Sequence, residues 1–247
     1  MDVKGKTAIV TGSSQGLGRV FAKTLAKAGA RVIVNCAHHP DKAQTVVDEI
    51  HADGGIAEVY VCDVSDEKAI AKMFQDLGRV DILVNNARVD PYSRRPEMTE
   101  GEWWDRVIDI SLKSCFLCSM AFFDQAKDDG KGGVIVNISS VRAFRPAEMH
   151  MIAYGVSKLG MHGITRAIAH NGAPFGIRAN TICPGMCLTE NLTKRLTPEQ
   201  QKAEGSLIPI GRGSTMEENA DAVMFAIEND YVTGETININ GGMYYAP

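Results

Sequence analysis

The chain has 247 residues, of which 45% are hydrophobic and 23% are charged, and its formal net charge is -4 at pH 7. These are ordinary globular values, and an acidic chain has no positive field that would gather nucleic-acid phosphates. No apolar run approaches the roughly 18 residues that span a bilayer, and the polar first residues lack the pattern of a signal peptide. We therefore expect one cytoplasmic domain over residues 1–247, with no nucleic-acid or membrane partner.

The six cysteines are scattered through apolar segments, as is typical of reduced thiols in a chain large enough to fold without disulfides. Cys115 and Cys118 form a C-x-x-C, but no second pair or nearby histidine completes a tetrahedral metal site. The histidines show no metal-binding spacing either. We expect buried packing for this pair and no metal ion.

Short β-branched runs alternate with segments of helical period, which indicates β-α-β units and a doubly wound parallel α/β sheet. The predicted strands cover residues 7–11, 31–35, 57–61, 81–85, 134–139, 178–183 and 236–240. Residues 88–99 and 186–212 interrupt the alternation as long, irregular segments that follow predicted strands. Since ligands bind beyond the carboxyl ends of parallel strands, these segments are candidate substrate-binding walls; plain surface insertions are the alternative.

A glycine-rich turn follows the first strand, where Thr11 begins the sequence TGSSQGLG. Gly12, Gly16 and Gly18 allow a positive φ and a close approach of the backbone to a pyrophosphate. The N-terminus of the following helix supplies free N–H groups and the positive end of its dipole. The turn therefore predicts a dinucleotide site, although such turns also occur for purely structural reasons.

TGSSQGLG resembles the TGxxxGxG signature of the short-chain dehydrogenases/reductases, and further motifs of that family follow in order. They are Asp63, Asn85-Asn86-Ala87, Tyr154-Gly155-Val156-Ser157-Lys158, Pro184-Gly185, Thr233-Gly234 and Gly241-Gly242. The resemblance covers essentially the whole chain. It implies a Rossmann fold of seven parallel strands, a homotetramer or homodimer, and NAD(P)(H)-dependent carbonyl reduction or secondary alcohol oxidation of a small-molecule substrate.

Tyr154 and Lys158 stand four residues apart in a predicted helix, so both side chains project from one face. A nearby ammonium favours the tyrosine phenolate, which makes Tyr154 the candidate acid/base. The resemblance assigns the catalytic serine to Ser140, with Ser139 as the structural alternative. From Ser140 to Tyr154 is one position more than in many relatives, so we expect a one-residue insertion within residues 141–153.

The candidate cofactor-binding residues extend from the glycine turn to the segment after the sixth strand. They are Gly12, Ser14, Gln15, Gly16, Leu17, Gly18, Cys36, Ala37, His38, Asp63, Val64, Asn86, Ala87, Tyr154, Lys158, Pro184, Gly185 and Thr189. NAD-binding proteins normally carry an acidic residue about 20 positions beyond the glycines. Residues 35–39 read Asn-Cys-Ala-His-His, so NADP(H) is the expected cofactor, with NAD(H) as the alternative.

Two residues depart from the family pattern. Ser111 replaces an asparagine that completes a proton relay, so it joins the catalytic candidates, and Arg88 stands where a glycine is usual. Arg88 either points into water or brings positive charge to the cleft, and its backbone is expected to cost about 1 kcal/mol of strain if the glycine conformation is kept. These departures motivate an alternative function: a dinucleotide-binding relative with reduced or lost catalysis, acting through assembly or partner binding. Epimerisation or dehydration through a keto intermediate also stays open.

Cationic side chains are concentrated in the segments expected beside the active site. They are Arg88, Arg94, Arg95, Arg142 and Arg145. Guanidinium groups clamp carboxylates or phosphates bidentately, so an anionic substrate is one interpretation. A solvated loop with local ion pairs is the other.

Overall fold

The computed structural model describes residues 1–145 and 148–245. Its centre is a parallel sheet of seven strands in the order β3-β2-β1-β4-β5-β6-β7. The strands are β1 (Thr7–Val10), β2 (Arg31–Cys36), β3 (Ile56–Val61), β4 (Ile82–Asn85), β5 (Gly133–Ile138), β6 (Ile177–Pro184) and β7 (Thr236–Ile239). The predicted doubly wound fold is confirmed, and the strand boundaries differ from the predicted ones by one residue at most.

Helices cover both faces of the sheet, which explains why β4 and β5 are apolar almost throughout. The α-helices are α1 (Gly16–Lys27), α2 (Pro40–Ala52), α3 (Glu67–Leu77), α4 (Glu100–Ile108), α5 (Ser114–Asp129), α6 (Ile152–Gly172), α7 (Glu190–Arg195), α8 (Pro198–Ser206) and α9 (Met216–Glu228). One core lies under α1, α2 and α9, and a second lies under α3, α5 and α6. No helix in the described part of the chain is long and apolar enough to cross a membrane.

The order of the strands reverses at β1, which pairs with β2 on one side and with β4 on the other. The connections after β1 and β4 therefore leave the sheet toward opposite faces and open a crevice at the carboxyl ends of the strands. This is where the glycine turn, the segment after Asn85 and the segment after β5 come together.

A buried polar network ties β4, β5, β6 and α6 together just below that crevice. Asn85 Nδ2 donates to Asn137 Oδ1 at 2.8 Å, and Asn137 Nδ2 donates to Thr165 Oγ1 at 2.8 Å. The hydroxyls of Thr165 and Thr181 lie 2.7 Å apart. Because every member finds a partner in a low-dielectric interior, the network fixes the relative positions of the three strand ends.

The segment 186–212 is not irregular, contrary to the sequence expectation, because it contains α7 and α8. Thr189 caps α7 by accepting a hydrogen bond from Leu192 N, and Thr197 and Gln200 form a capping box on α8. The box and the proline at the start of α8 are visible in the sequence and were a usable signal for this helix. Residues 88–99 form neither helix nor strand, and α4 follows them at a capping box on Thr99.

Candidate active site

A cleft of about 780 Å³ opens at the carboxyl ends of the strands. The candidate cofactor-binding residues all line it: Gly12, Ser14, Gln15, Gly16, Leu17, Gly18, Cys36, Ala37, His38, Asp63, Val64, Asn86, Ala87, Tyr154, Lys158, Pro184, Gly185 and Thr189. Ser140 lines it as well. The topology thus brings residues that are far apart in sequence to one cavity.

The glycine turn has the geometry of a phosphate cradle. Gly12 and Gly16 have φ values of 60° and 57°, and a Cβ on Gly12 would lie 3.0 Å from Ala87 Cα. A Cβ on Gly18 would lie 2.7 Å from Gly12 O, so only glycine fits there. Gln15 does not cap α1 with its side chain, which leaves the N–H groups of the first turn for a ligand. These residues fit a dinucleotide pyrophosphate.

Two asparagines hold the glycine turn, and the sequence analysis assigned no structural role to the first. Asn35 Oδ1 accepts a hydrogen bond from Gly12 N at 3.1 Å, while its Nδ2 donates to the carbonyls of Tyr60 and Cys62 at 3.2 and 3.0 Å. Asn86 Nδ2 donates to Thr11 O at 2.9 Å. An amide inside an otherwise apolar strand is the signal for Asn35, because a buried amide needs partners.

The end of β2 carries no carboxylate at residues 35–39, and His38 and His39 both line the cleft there. Asp41 lies in the first turn of α2 and is not part of the cleft lining. Asp63, beyond β3, lines the cleft, and its Oδ1 accepts hydrogen bonds from Ser65 N and Ser65 Oγ at 2.9 and 2.8 Å.

Tyr154 and Lys158 lie on α6 with the Lys158 ammonium 5.7 Å from the centre of the Tyr154 ring. Lys158 is almost fully buried, and its Nζ donates to Ile138 O at 2.7 Å. Burial, followed by the charge of Arg88, lowers the pKa of Lys158 from 10.5 to about 7. The cleft therefore contains a cation whose charge depends on what binds beside it, since any neighbouring anion favours the protonated form.

The two serines after β5 have different surroundings. Ser139 is buried, and its hydroxyl donates to Lys158 O at 2.9 Å. Ser140 is half-buried, and its Oγ accepts a hydrogen bond from Arg142 N at 3.2 Å. The backbone bond leaves the Ser140 proton available for a ligand, whereas the Ser139 proton is used inside the protein. Residues 146 and 147 of the following loop lie outside the described residues.

Ser111 is fully buried behind the wall of the cleft and does not line it. It belongs to a short π-helical turn, Asp109–Lys113, between α4 and α5. Its Oγ accepts a hydrogen bond from Val89 N at 3.1 Å. Ser111 thus anchors the backbone of the segment that carries Arg88.

Arg88 is exposed to solvent and also lines the cleft, so both sequence interpretations hold in part. Its φ is negative, as it is at every described non-glycine residue, so the expected strain is absent. Its charge contributes to the lowered pKa of Lys158.

The cationic rim of the cleft differs from the predicted one. Arg94 and Arg95 lie outside the cleft lining and pair with Glu100 and Glu97 at 2.7 and 3.3 Å. Arg142 and Arg145 do line the cleft. Two further cationic cleft residues, not singled out in the sequence, are Arg106 on α4 and Arg195 on α7, the latter within the predicted wall 186–212. The Arg195 guanidinium lies over the Tyr92 ring, 3.7 Å from its centre.

A doubly wound sheet with a glycine turn and a Tyr-x-x-x-Lys helix on one cleft defines a class of dinucleotide-dependent oxidoreductases. The family model for short chain dehydrogenase matches residues 6–200. The chain is 38% identical to an acetoacetyl-CoA reductase of Rhizobium meliloti, covering 98% of this chain and 99% of that one. The chain belongs to the short chain dehydrogenase family, and it is an oxidoreductase.

Solved structures of similar proteins have been determined with both nicotinamide cofactors. A 7α-hydroxysteroid dehydrogenase complexed with NADH and 7-oxo glycochenodeoxycholic acid superposes with a TM-score of 0.86 at 32% identity, covering 97% of this chain and 94% of that one. A putative 2-deoxy-D-gluconate 3-dehydrogenase of Agrobacterium tumefaciens with bound NADP has a TM-score of 0.85 at 36% identity, covering 97% and 96%. The likeness thus spans nearly the full length of both chains.

Replacing Lys158 by methionine is expected to stabilise the fold, because the lysine is charged at low pH in a site that disfavours the charge. The pKa of Lys158 is about 7 in the folded protein and 10.5 in its ordinary state. Between these two pH values the lysine is protonated in the unfolded chain and neutral in the folded protein. The free energy of unfolding of the wild type therefore rises with pH across this range. Lys158→Met should gain about 1–4 kcal/mol at pH 6, and the gain should shrink above pH 7.

Thermal unfolding at pH 6 and pH 9.5 measures this effect. Lys68→Met, on an exposed position of α3, is the matched control and should change stability little at either pH. A Lys158→Met protein that is less stable than wild type at pH 6 would contradict the expectation.

Proposed function

We propose that the protein catalyses reversible, NAD(P)(H)-dependent reduction of a carbonyl group or oxidation of a secondary alcohol through Ser140, Tyr154 and Lys158. The observation that carries this proposal is the buried Lys158 ammonium beside the Tyr154 ring, in the same cleft as the glycine turn. A tyrosine next to a cation and a phosphate cradle within one cavity fit proton transfer coupled to a dinucleotide.

The cleft residues divide naturally along a dinucleotide. The glycine turn from Gly12 to Gly18 would hold the pyrophosphate, and Asp63 and Val64 would border the adenine. Pro184, Gly185 and Thr189 would border the nicotinamide end. When bound, the nicotinamide supplies or accepts the hydride.

Proton transfer falls to Tyr154. In the direction of reduction its hydroxyl donates a proton to the carbonyl oxygen, and in the direction of oxidation its phenolate removes the proton of the alcohol. Lys158 stabilises the phenolate, which in turn favours the charged form of the lysine. The Ser140 hydroxyl, free to donate, orients and polarises the substrate oxygen.

Replacing Tyr154 by phenylalanine separates this function from the alternative of a binding protein with lost catalysis. Loss of the acid/base is expected to lower turnover by about 100-fold to 10,000-fold, with cofactor binding retained. A panel of ketones and secondary alcohols followed at 340 nm measures the rate, with the exposed Tyr231→Phe as a matched control. Equal turnover by the Tyr154→Phe and wild-type proteins would contradict the proposal.

We also propose that NADP(H) is preferred over NAD(H). The end of β2 supports this proposal. Residues 35–39 carry no carboxylate that would accept hydrogen bonds from the ribose hydroxyls or repel a 2′-phosphate. His38 and His39 line this part of the cleft and offer ring N–H groups to such a phosphate.

Fluorescence titration with the two reduced cofactors tests this preference. NADPH is expected to bind about tenfold more tightly than NADH, the effect of one charge-assisted contact. Cys36→Asp introduces a carboxylate at the last residue of β2 and should reverse the order. Tighter binding of NADH by the wild type would overturn the preference.

We further propose that the substrate carries an anionic group. Arg88, Arg106 and Arg145 line the cleft, and no ion pair among the described residues includes them. Because guanidinium groups exposed in a cleft and lacking a carboxylate partner are available to a ligand, they suit a carboxylate or phosphate on the substrate.

Arg145→Ala is expected to lower kcat/KM for a carboxylated ketone by about 10-fold to 100-fold and to leave a neutral ketone of similar size unaffected. Arg95→Ala, outside the cleft and paired with Glu97, is the control. Similar effects of Arg145→Ala on neutral and carboxylated ketones would remove the proposal.

We propose assembly as a homotetramer or homodimer, and an exposed apolar stripe supports it. Ile152, Val156 and Leu159 are spaced along one face of α6 and are each more than two-fifths exposed, as is Phe116 on α5. Contiguous apolar surface of this kind is typical of interfaces, so a second copy of the chain is the proposed occupant.

We propose that the protein is cytoplasmic. All six cysteines are free thiols, and Cys187 alone among them is not buried. Free thiols in an apolar interior fit a reducing compartment.

A further inference from the structure

His162 is a buried histidine that the proposed proton chemistry does not use. It lies on α6, one turn beyond Lys158, and is 3% exposed. Its Nε2 lies 2.9 Å from Ser139 Oγ, and its Nδ1 lies 2.9 Å from Thr236 Oγ1. Through this imidazole, α6, which also carries Tyr154, is linked to the end of β5 and to the start of β7.

The hydrogen bonds around Ser139 favour one tautomer of His162. Lys158 O, at 2.9 Å from Ser139 Oγ, can only accept, so we assign the single hydroxyl proton to that bond and the accepting role toward His162 to Ser139 Oγ. Nε2 therefore carries the proton, and Nδ1 accepts from the Thr236 hydroxyl. The result is a directed chain that runs from Thr236 through His162 and Ser139 to the backbone carbonyl of Lys158.

The neutral imidazole is favoured by its surroundings. Burial, followed by the charges of Arg166 and Lys158, lowers the pKa of His162 to about 4. The ring is also packed from the side, because Phe144 lies 4.7 Å away, centre to centre, and stacks in turn on Tyr244 at 5.1 Å.

This series of hydrogen bonds ends at Lys158, on which the proposed proton chemistry depends. Lys158 forms hydrogen bonds with the last residue of β5 and with the residue after it. Its Nζ donates to Ile138 O at 2.7 Å, and its carbonyl oxygen accepts from the Ser139 hydroxyl. Ser140 is the next residue along. A shift of Ser139 relative to α6 would therefore move the ammonium relative to the Tyr154 ring and would move the Ser140 hydroxyl.

We propose that His162 is a positioning residue, which as its Nε2–H tautomer holds Ser139 and thereby sets the placement of Lys158 and Ser140 in the cleft. This inference rests on the proposed function for its kinetic test. The other groups facing Lys158 are Arg88 after β4, Cys115 on α5 and Cys183 on β6, and Arg166 faces His162. Substitutions at His162, His170 and Thr236 leave these charged and titratable side chains unchanged.

The test compares His162→Leu, His162→Gln and His170→Ala in the pH profile of kcat for alcohol oxidation. Leucine removes both hydrogen bonds, so Lys158 should stabilise the phenolate less and the acidic limb should move upward by about one pH unit. The amide nitrogen and oxygen of glutamine are bonded to one carbon, as the two imidazole nitrogens are, so glutamine offers one donor and one acceptor at similar spacing. His162→Gln should therefore restore the wild-type pH profile of kcat. His170, exposed on the same helix, should have no effect.

The pH range is restricted to conditions where circular dichroism shows each variant folded. There, a kcat lowered by the same factor at every pH, with the limb in place, would overturn the inference. Failure of glutamine to restore the limb in a folded protein would do the same. If His162→Leu does not fold, Thr236→Val removes one bond of the chain and should shift the limb in the same direction; an unshifted limb would again count against it.

An independent readout needs no turnover. Histidine ¹⁵N spectra of the wild type should show His162 with the proton on Nε2, and the Nδ1–H tautomer would overturn the inference. If the wild type oxidises no alcohol, the proposed function is contradicted. The ¹⁵N spectrum would still test the proposed tautomer of His162, because it does not depend on turnover.

Discussion

The structure is organised around a cation, Lys158, that is buried at the carboxyl ends of a parallel sheet. Taking an ammonium out of water is costly, and here Ile138 O accepts a hydrogen bond from it at 2.7 Å while Met161 Sδ, a weaker acceptor, lies 3.7 Å away. Burial lowers the pKa of this lysine to about 7, so its charge near neutral pH depends on an anion bound beside it. The proposed proton chemistry depends on its position relative to Tyr154, and buried hydrogen bonds hold that position.

Two buried hydrogen-bond systems fix it. Asn85, Asn137 and Thr165 connect the ends of β4 and β5 to α6. His162 and Ser139 connect the end of β5 to α6 and, through Thr236, to β7. Since a buried polar group without a partner is costly, each system resists displacement of its members, and together they hold the helix and the strand that meet at the active site.

The two departures from the family pattern are accommodated rather than disruptive. Arg88 takes a negative φ and extends its charge along the cleft wall, so no strained backbone results. Ser111 holds Val89 N from behind that wall and so steadies the segment to which Arg88 belongs. Arg88 adds charge to this wall of the cleft and Ser111 supports it from behind, while Tyr154 and Lys158 lie on one cleft with the glycine turn.

Sequence reasoning succeeded where the signal is local. The alternation of strands and helices, the glycine turn and the four-residue spacing of Tyr154 and Lys158 depend on nearby residues, and the structure has all of them. It did not find Arg106, because a helix outside the predicted walls brings it to the cleft, and within the predicted wall 186–212 it did not single out Arg195. Nor did it find His162, whose partners on β5 and β7 are separated from it by 23 and 74 residues. Both kinds of contact are set by the packing of the whole sheet.

Transfer of deuterium from a reduced nicotinamide that carries deuterium at both C4 positions tests the proposed hydride chemistry without regard to which face of the ring reacts. Incubation of the wild-type protein with the labelled cofactor and a panel of neutral and carboxylated ketones, followed by mass spectrometry, reports the hydride itself. If the protein catalyses carbonyl reduction, the alcohol formed carries deuterium on its carbinol carbon. Alcohol formed without deuterium, or no alcohol from any ketone while the cofactor binds, would contradict it.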